Sequence, residues 1–432
     1  MAGENDIITS AWNRFWELGK LTTKVGTSLA TNAALNFFYT QDSQEKKKLE
    51  NLLRNAERIT QSLSRLKGGA MKIGQMLSLQ DGLLPPEVMA VLQSLQKDSL
   101  PVPFHRIQET LESEMPDYRD KFSRIEEKPF ASASIGQVHK AVTREGEDVI
   151  IKIQYPGIDR AILGDLKNLR VLFKALASWF TNTDINPIWT EIKIKLLEEI
   201  DYLQESRNQQ YFNDHFSGHP RIRIPRPFPE LTTRRVITSE FVAGISLEEA
   251  ARLSQEERNL WAGTLFELGL GQLVKGERLH TDPNAANFAF LREGVIIVYD
   301  FGSVKITNPV IRDGYREIMK ASMQQEMEKI PEILFTMGIR MSQTSPIPWS
   351  FIQPYAEIFL PIFTEKPYCF GGKNNLIKKV MDQARGNAFQ ARDLSFPADM
   401  VFIDRTIGGH MGNLARLAPC GDWEKILTPL LE

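Results

Sequence analysis

"HTDPNAANFAF" runs from His280 to Phe290, and "VYDFG" follows at Val298–Gly302. Taken singly, the pieces are ordinary. Asp-Pro-Asn is turn chemistry, because Asp and Asn side chains bond nearby backbone and Pro fixes φ. On that reading the stretch is a loop between a helix and a hairpin. The order of the residues points elsewhere. Asp282 opens D-x-x-x-x-N, which closes at Asn287, and Asp300 ends the apolar run "VIIVY" with a carboxylate. A strand-end carboxylate and an asparagine supply the hard oxygen ligands that Mg²⁺ takes. Phosphoryl transfer needs such ligands together with a cation on the phosphates, since the protein must stabilise charge on the transferring group.

The other parts of such a site lie upstream, in the required order. Lys152 sits in "VIIKIQ", a near-continuous apolar strand in which an unpaired charge is costly. Glu205 lies in the helical pattern "LLEEIDYLQESRNQQYF", preceded by Glu199 and Asp201. Positions 201 and 205 are four apart and share one helical face. A strand lysine, a helix glutamate, a loop aspartate, and an asparagine and aspartate for the metal are the parts of a kinase-like site. A phosphate loop rich in glycine should precede the lysine. Instead "PFASASIGQVH" contains a single glycine, Gly136. Ala and Ser restrict the backbone where glycine would let it close over phosphate.

The rest of the chain sets the frame. Its 432 residues predict two or three domains, and 42% hydrophobic with 25% charged residues fits a globular protein with a sizeable core. A net charge of −2 gives no pointer to nucleic acid. Cys369 and Cys420 have no metal-ligand spacing, which predicts a reducing compartment or no redox role. No apolar run is long enough to span a bilayer. Glu4, Asp6 and Glu17, with few arginines near them, predict neither a presequence nor a secretory signal. Residues 8–66 read as helical, with Trp12, Phe15 and Trp16 as an aromatic stripe and Lys46–Lys48 as a solvated face. Two more helices, broken at Asp81-Gly82, lead to a boundary near residue 101. Short β-rich pieces over 122–156 with "REGED" as a hairpin turn, helices at about 158–181 and 188–213, and a strand in "RVITSEFV" follow. After Gly244 the pattern is mainly helical, an α+β layout with three parts: 1–100, 101–243 and 244–432.

With "KIGQ" (Lys72 to Gln75), "ASASIGQVH", "EID" at 199–201, "TDPNAANF" and "DFG", the chain resembles the UbiB-type atypical kinases, kinase-like ATPases associated with ubiquinone biosynthesis. The resemblance runs from about residue 60 to the end. It implies a two-lobed protein-kinase-like fold, with a β-rich N-lobe, a helical C-lobe and an N-terminal helical lid. It implies ATP and Mg²⁺ as cofactors, with Lys152 as phosphate lysine, Glu205 as its helix partner and Asp282 as the catalytic-loop aspartate. Asn287 and Asp300 would be the Mg²⁺ ligands. Ala131, Ser132, Ala133 and Ser134 would line the nucleotide, as would Glu240 and Val242 at the end of the "RVITSEFV" strand. Lys72 and Gln75 would form a regulatory lid facing Glu199 and Asp201. Two departures stand out: Ser132 interrupts the family's run of alanines, and Ala285 replaces its catalytic-loop Trp. The resemblance further implies an intracellular protein, in a bacterial cytoplasm or an organelle interior. Its implied partners are an anionic membrane surface and quinone-biosynthesis proteins, with a homodimer as one assembly.

Two other functions fit part of the pattern. Aminoglycoside-type phosphotransferases share His280-Thr281-Asp282 and Asn287, but not K-x-G-Q or the ASAS loop. A non-catalytic nucleotide-sensing scaffold would suit a stiff phosphate loop under a lid. His215 and His219 are four apart with no third ligand near them, a weak zinc signal. "RIRIPRP" reads as a strand edge sooner than a polyanion site.

Overall fold

The computed structural model describes residues 102–133, 135–159, 162, 170, 186–341, 345–386, 394–395 and 397–432. The Trp12, Phe15 and Trp16 stripe, the lid residues Lys72 and Gln75, Ser134, and most of the helix expected at 158–181 lie outside them. The described residues belong to two compact units. The larger comprises Phe104–Ala131, Gln137–Gln154 and Leu197–Glu432; Ser132–Gly136 and the stretch from Tyr155 to Leu196 belong to the other.

In the larger unit, helix α1 (Phe104–Glu114) and a single turn, α2 (Tyr118–Lys121), lead into an antiparallel sheet. Its strands are β1 (Phe122–Ile125), β3 (Gly136–Thr143), β4 (Asp148–Gln154) and β6 (Val236–Glu240), in the order β1-β3-β4-β6, with β2 (Ala131–Ser132) beside β3. Alternation explains β4: Val149, Ile151 and Ile153 are buried at 0% exposure, which turns Lys152 to the other face. Lys152 stands opposite Ile237 in the register with β6.

The sequence pattern predicted one helix over 188–213, and the structure divides it. Helix α3 (Asn186–Glu199) ends, and α4 (Tyr202–His215) begins with Asp201 as its N-cap. The Asp201 carboxylate accepts from the Gln204 amide at 3.1 Å, satisfying a donor that would otherwise be orphaned. Asp201 therefore caps the helix that carries Glu205 and is not part of its face.

Beyond β6, helix α5 (Leu247–Ala250) precedes α6 (Gln255–Lys275). Ser254 caps α6, Glu256 and Glu257 sit in its first turn and Lys275 in its last, each sign complementing the helix dipole. Two small sheets follow. Strand β7 (Arg278–His280) pairs with β10 (Val304–Ile306), and β9 (Ile296–Val298) pairs with both β5 (Ile222–Arg223) and β8 (Phe288–Phe290). The C-terminal part adds α7 (Pro309–Met323), α8 (Ile330–Thr336), α9 (Trp349–Phe359), α10 (Pro361–Thr364), α11 (Leu376–Gly386), α12 (Ala398–Leu417) and α13 (Trp423–Leu431). Helix α6 packs on α12 and α13 around a core that includes Trp261, Phe266, Leu414 and Trp423.

One sequence expectation is overturned here. Cys369 and Cys420 stand opposite each other in strands β11 (Tyr368–Cys369) and β12 (Cys420–Gly421) and form a disulfide, with Cα atoms 4.1 Å apart. Fifty-one residues separate them, so only the folded pairing brings them together. The unreduced, denatured chain is expected to show no free thiol from this pair. Cys420→Ser is expected to lower stability by up to about 4 kcal/mol in the chain-entropy account of a loop this long. Two reactive thiols without prior reduction would contradict the bridge.

Candidate functional site

The site is built where β4, α4 and the end of β9 meet. Lys152 Nζ donates to Glu205 Oε1 at 3.0 Å and Oε2 at 3.2 Å, and to Asp300 Oδ2 at 3.0 Å. These three residues are the ones the sequence pattern picked out, brought together across 53 and 148 residues of chain. An ammonium has three donors, and all three are used. The Tyr202 ring lies 5.0 Å from the ammonium and adds a cation–π contact. Asp300 keeps its second oxygen on the Gly302 amide at 3.0 Å. Gly302 leaves the room this needs: a Cβ there would sit 3.2 Å from Asp300 Oδ1 and 3.6 Å from Glu205 Oε2.

One cation faces two anions, with Glu199 adding to the negative field. Burial opposes the lysine's charge, but Asp300 and Glu205 reverse that and hold its pKa well above the usual range. Burial pushes Glu205 up to about 7 against the pull of Lys152, and the Asp300 charge adds to the rise. The Glu205 side chain is 6% exposed and that of Asp300 35%, so burial bears far more heavily on Glu205. The folded protein then holds a proton that the unfolded chain releases near pH 4.5, and gives it up near pH 7. The stabilisation from this extra proton is fully present below pH 4.5 and is lost as pH rises through about 7. Unfolding midpoints measured over that window should fall with pH in the parent relative to Glu205→Gln. Parallel curves would show that Glu205 titrates as an exposed carboxyl does.

The Asp282–Asn287 loop sits beside this cluster. Asn287 Nδ2 donates to the Asp282 carbonyl at 3.2 Å, which leaves Asn287 Oδ1 as the acceptor for a cation. The Asn284 side chain caps the short turn Ala285–Asn287 by accepting from the Ala286 amide. The Tyr299 amide donates to the Asn287 carbonyl at 3.0 Å, and the Thr281 amide to Ser303 O at 2.9 Å. His280 Nε2 is bonded to the carbonyl of Asp300 itself. Asp282 is half-buried at the head of the loop. Among the described residues no three His, Cys, Asp or Glu side chains converge as a metal cage. The oxygen donors of Asn287 and Asp300 suit Mg²⁺, which is usually held by one or two protein carboxylates with waters and substrate phosphate completing its shell.

The Glu240 carboxylate pairs with Arg223 at 2.7 Å, and the Val242 carbonyl accepts from the Tyr299 hydroxyl at 2.8 Å. Ala131 and Ser132 are exposed; the Ala133 amide donates to the Gly136 carbonyl at 2.9 Å, closing a tight turn. Glu199 closes α3 and contributes charge, whereas Asp201 serves as the cap described above. Sequence reasoning missed Tyr202 and Asn208. The Asn208 amide holds the Phe301 carbonyl at 3.0 Å, and its only sequence signal is its place one turn after Glu205. It also missed Lys305, whose ammonium reaches Glu198 at 3.0 Å. His219 Nδ1 accepts from the amides of Arg221 and Ile222, a structural turn. Arg221, Arg223 and Arg226 pair with Glu267, Glu240 and Glu147, and β5 is the edge strand of its sheet.

A lysine held by a helix glutamate beside an Asp–Asn loop and a D-F-G turn is the arrangement that the sequence pattern led us to expect of a kinase-like fold. Residues 94–334 match the model of the ABC1 atypical kinase-like domain, and the chain belongs to that family, the group containing the UbiB and COQ8 proteins. The probable serine/threonine-protein kinase abkA of Dictyostelium discoideum is 31% identical over 77% of this chain and 62% of its own length. The mitochondrial atypical kinase COQ8B of Rattus norvegicus is 35% identical over 64% of this chain and 53% of its own length. The chain therefore spans little more than half the length of these relatives. A solved complex of Rv3197 with erythromycin, from Mycobacterium tuberculosis, superposes with a TM-score of 0.64 over 90% of this chain and 98% of that one. At 24% identity it shows the kinase-like fold alone. Among the described residues no helix is long and apolar enough to cross a membrane.

Proposed function

We propose that the chain binds Mg-ATP at the Lys152–Glu205–Asp300 cluster and hydrolyses it as an atypical kinase. The observation that carries this reading is the lysine itself, fixed between a helix carboxylate and the D-F-G carboxylate. Glu205 and Tyr202 hold the ammonium in place, so that an entering phosphate oxygen need only displace Asp300 from one of its three bonds. Asn287, turned by its bond to the Asp282 carbonyl, offers Oδ1 to a cation, and Asp300 Oδ2, once displaced from Lys152, offers the second ligand. Mg²⁺, when bound there, neutralises charge on the phosphates. Asp282 orients the attacking hydroxyl or water and accepts its proton.

The UbiB resemblance extends the proposal to a role supporting ubiquinone biosynthesis beside an anionic membrane, with proteins of that process as partners. The test is ATP hydrolysis by the full chain, with and without anionic liposomes and a phenol resembling a quinone precursor. Turnover above background that liposomes or phenol raise supports both parts. No turnover under any condition, with Mg-ATP still bound, supports a second reading as a nucleotide-sensing scaffold. The glycine-poor "PFASASIGQVH" loop favours that second reading, because Ala and Ser restrict the backbone where it would close over phosphate for transfer.

A further inference from the structure

Helix α12 comes to the catalytic-loop segment from the far end of the chain and touches it at both ends. Asn413 Nδ2 donates to the Pro283 carbonyl at 2.8 Å across 130 residues, with Asn413 5% exposed. Gly409, one turn earlier, faces the same proline: a Cβ there would lie 2.1 Å from Pro283 Cγ and 2.7 Å from its Cβ. Between them, His410 sets its ring 5.7 Å from that of Phe288, the residue after Asn287. Residues 409, 410 and 413 share one helical face by their spacing.

Among the described residues, the loop's other bonds are internal or run to its neighbours near Asp300. Asn284 and Asn287 close the loop on itself, and His280 ties its start to the Asp300 carbonyl. None of these is made to an atom of Pro283, which joins Asp282 to Asn284. The Asn413 amide meets that carbonyl from outside, and the proline ring rests where Gly409 has no side chain. We infer that Asn413 and Gly409 are positioning residues for the nucleotide site: they set the height of the Asp282–Asn287 loop, and so where Asp282 and Asn287 stand relative to Asp300. This rests on the Mg-ATP reading for its effect on turnover, but not for its effect on the loop.

Asn413→Asp keeps shape and size but replaces the donor with a carboxylate, which cannot donate to Pro283 O. Gly409→Ala keeps the hydrogen bond and pushes on the proline, giving a second variant should the first fail to fold. Asn413→Gln keeps a donor and is the conservative control. In the full chain, amide hydrogen exchange over residues 282–288 is expected to rise by about tenfold in Asn413→Asp and Gly409→Ala, with α6 unchanged. Displacing the loop should lower kcat by about tenfold or more and raise the Mg²⁺ concentration for half-maximal rate, with Asn413→Gln nearer the parent. Unchanged loop exchange in both variants overturns the inference, as does an equal rise across the C-terminal helices. Turnover that keeps the parent's kcat and Mg²⁺ dependence despite local opening overturns it too. A parent without ATP turnover counts against the proposed function, and the exchange data then decide the positioning role alone.

Discussion

Asp300→Asn is expected to reduce ATP hydrolysis on the order of 10²- to 10³-fold, the range seen when a preorganised charge-stabilising group is lost. The fold should be as stable as the parent's above neutral pH, or more so. Asp300 is the more exposed of two carboxylates sharing one lysine, and its charge raises the pKa of Glu205. The amide removes that repulsion, keeps nearly the same shape, and leaves Lys152 paired with Glu205. What it cannot supply is a charged ligand for the metal. Loss of turnover with retained stability is thus the signature of a functional carboxylate. A large fall in melting temperature, with turnover scaling to the folded fraction, would mark Asp300 as structural.

Lys152→Met should act in the opposite sense on stability. It leaves Glu205 and Asp300 facing each other without a cation, and removing one partner of a buried ion pair typically costs about 3–5 kcal/mol. Glu205 can relieve part of this by taking a proton, because burial and the Asp300 charge raise its pKa and the pull of Lys152 that opposed them is gone. The destabilisation should therefore be smaller near pH 6 and larger near pH 8, because the variant takes up this proton on folding across that range while the parent loses it. Mg-ATP should no longer raise the melting temperature, since a ligand stabilises only the state that binds it. Urea midpoints at the two pH values check the first part. Equal destabilisation at both would show that Glu205 remains ionised throughout.

The sequence was informative where chemistry is written in order along the chain. Of Lys152, Glu205, Asp282, Asn287 and Asp300 only the lysine in its apolar strand is costly in its local pattern, but together they occur in the order of a kinase-like site. The hairpin turn and the β3, β4 and β6 strands were legible as short β-rich pieces with Val, Ile and Phe clustered around "REGED" and "RVITSEFV". What the sequence hid depends on convergence. Tyr202 and Asn208 look like any residues of an amphipathic helix until α4 is laid beside the D-F-G turn. The break at Ile200 and Asp201 was obscured because Asp is compatible with a helix interior as well as with a cap, and apolar periodicity runs on through it. The Cys369–Cys420 bridge requires β11 and β12 to pair, and strands of two residues each carry no periodic signal. Asn413 and Gly409 are invisible for the same reason: their partner, Pro283, lies more than a hundred residues earlier in the chain.

The central claim is that Asp300 and Asn287 hold the metal of a nucleotide positioned by Lys152. Calorimetric titration of ATP into the full chain, with and without Mg²⁺, for the parent and Asp300→Asn, tests it most directly. The parent should bind ATP more tightly when Mg²⁺ is present, and Asp300→Asn should abolish that difference while still binding metal-free ATP through Lys152. ATP affinity that is indifferent to Mg²⁺ in the parent, or a Mg²⁺ dependence that survives in Asp300→Asn, would contradict the assignment.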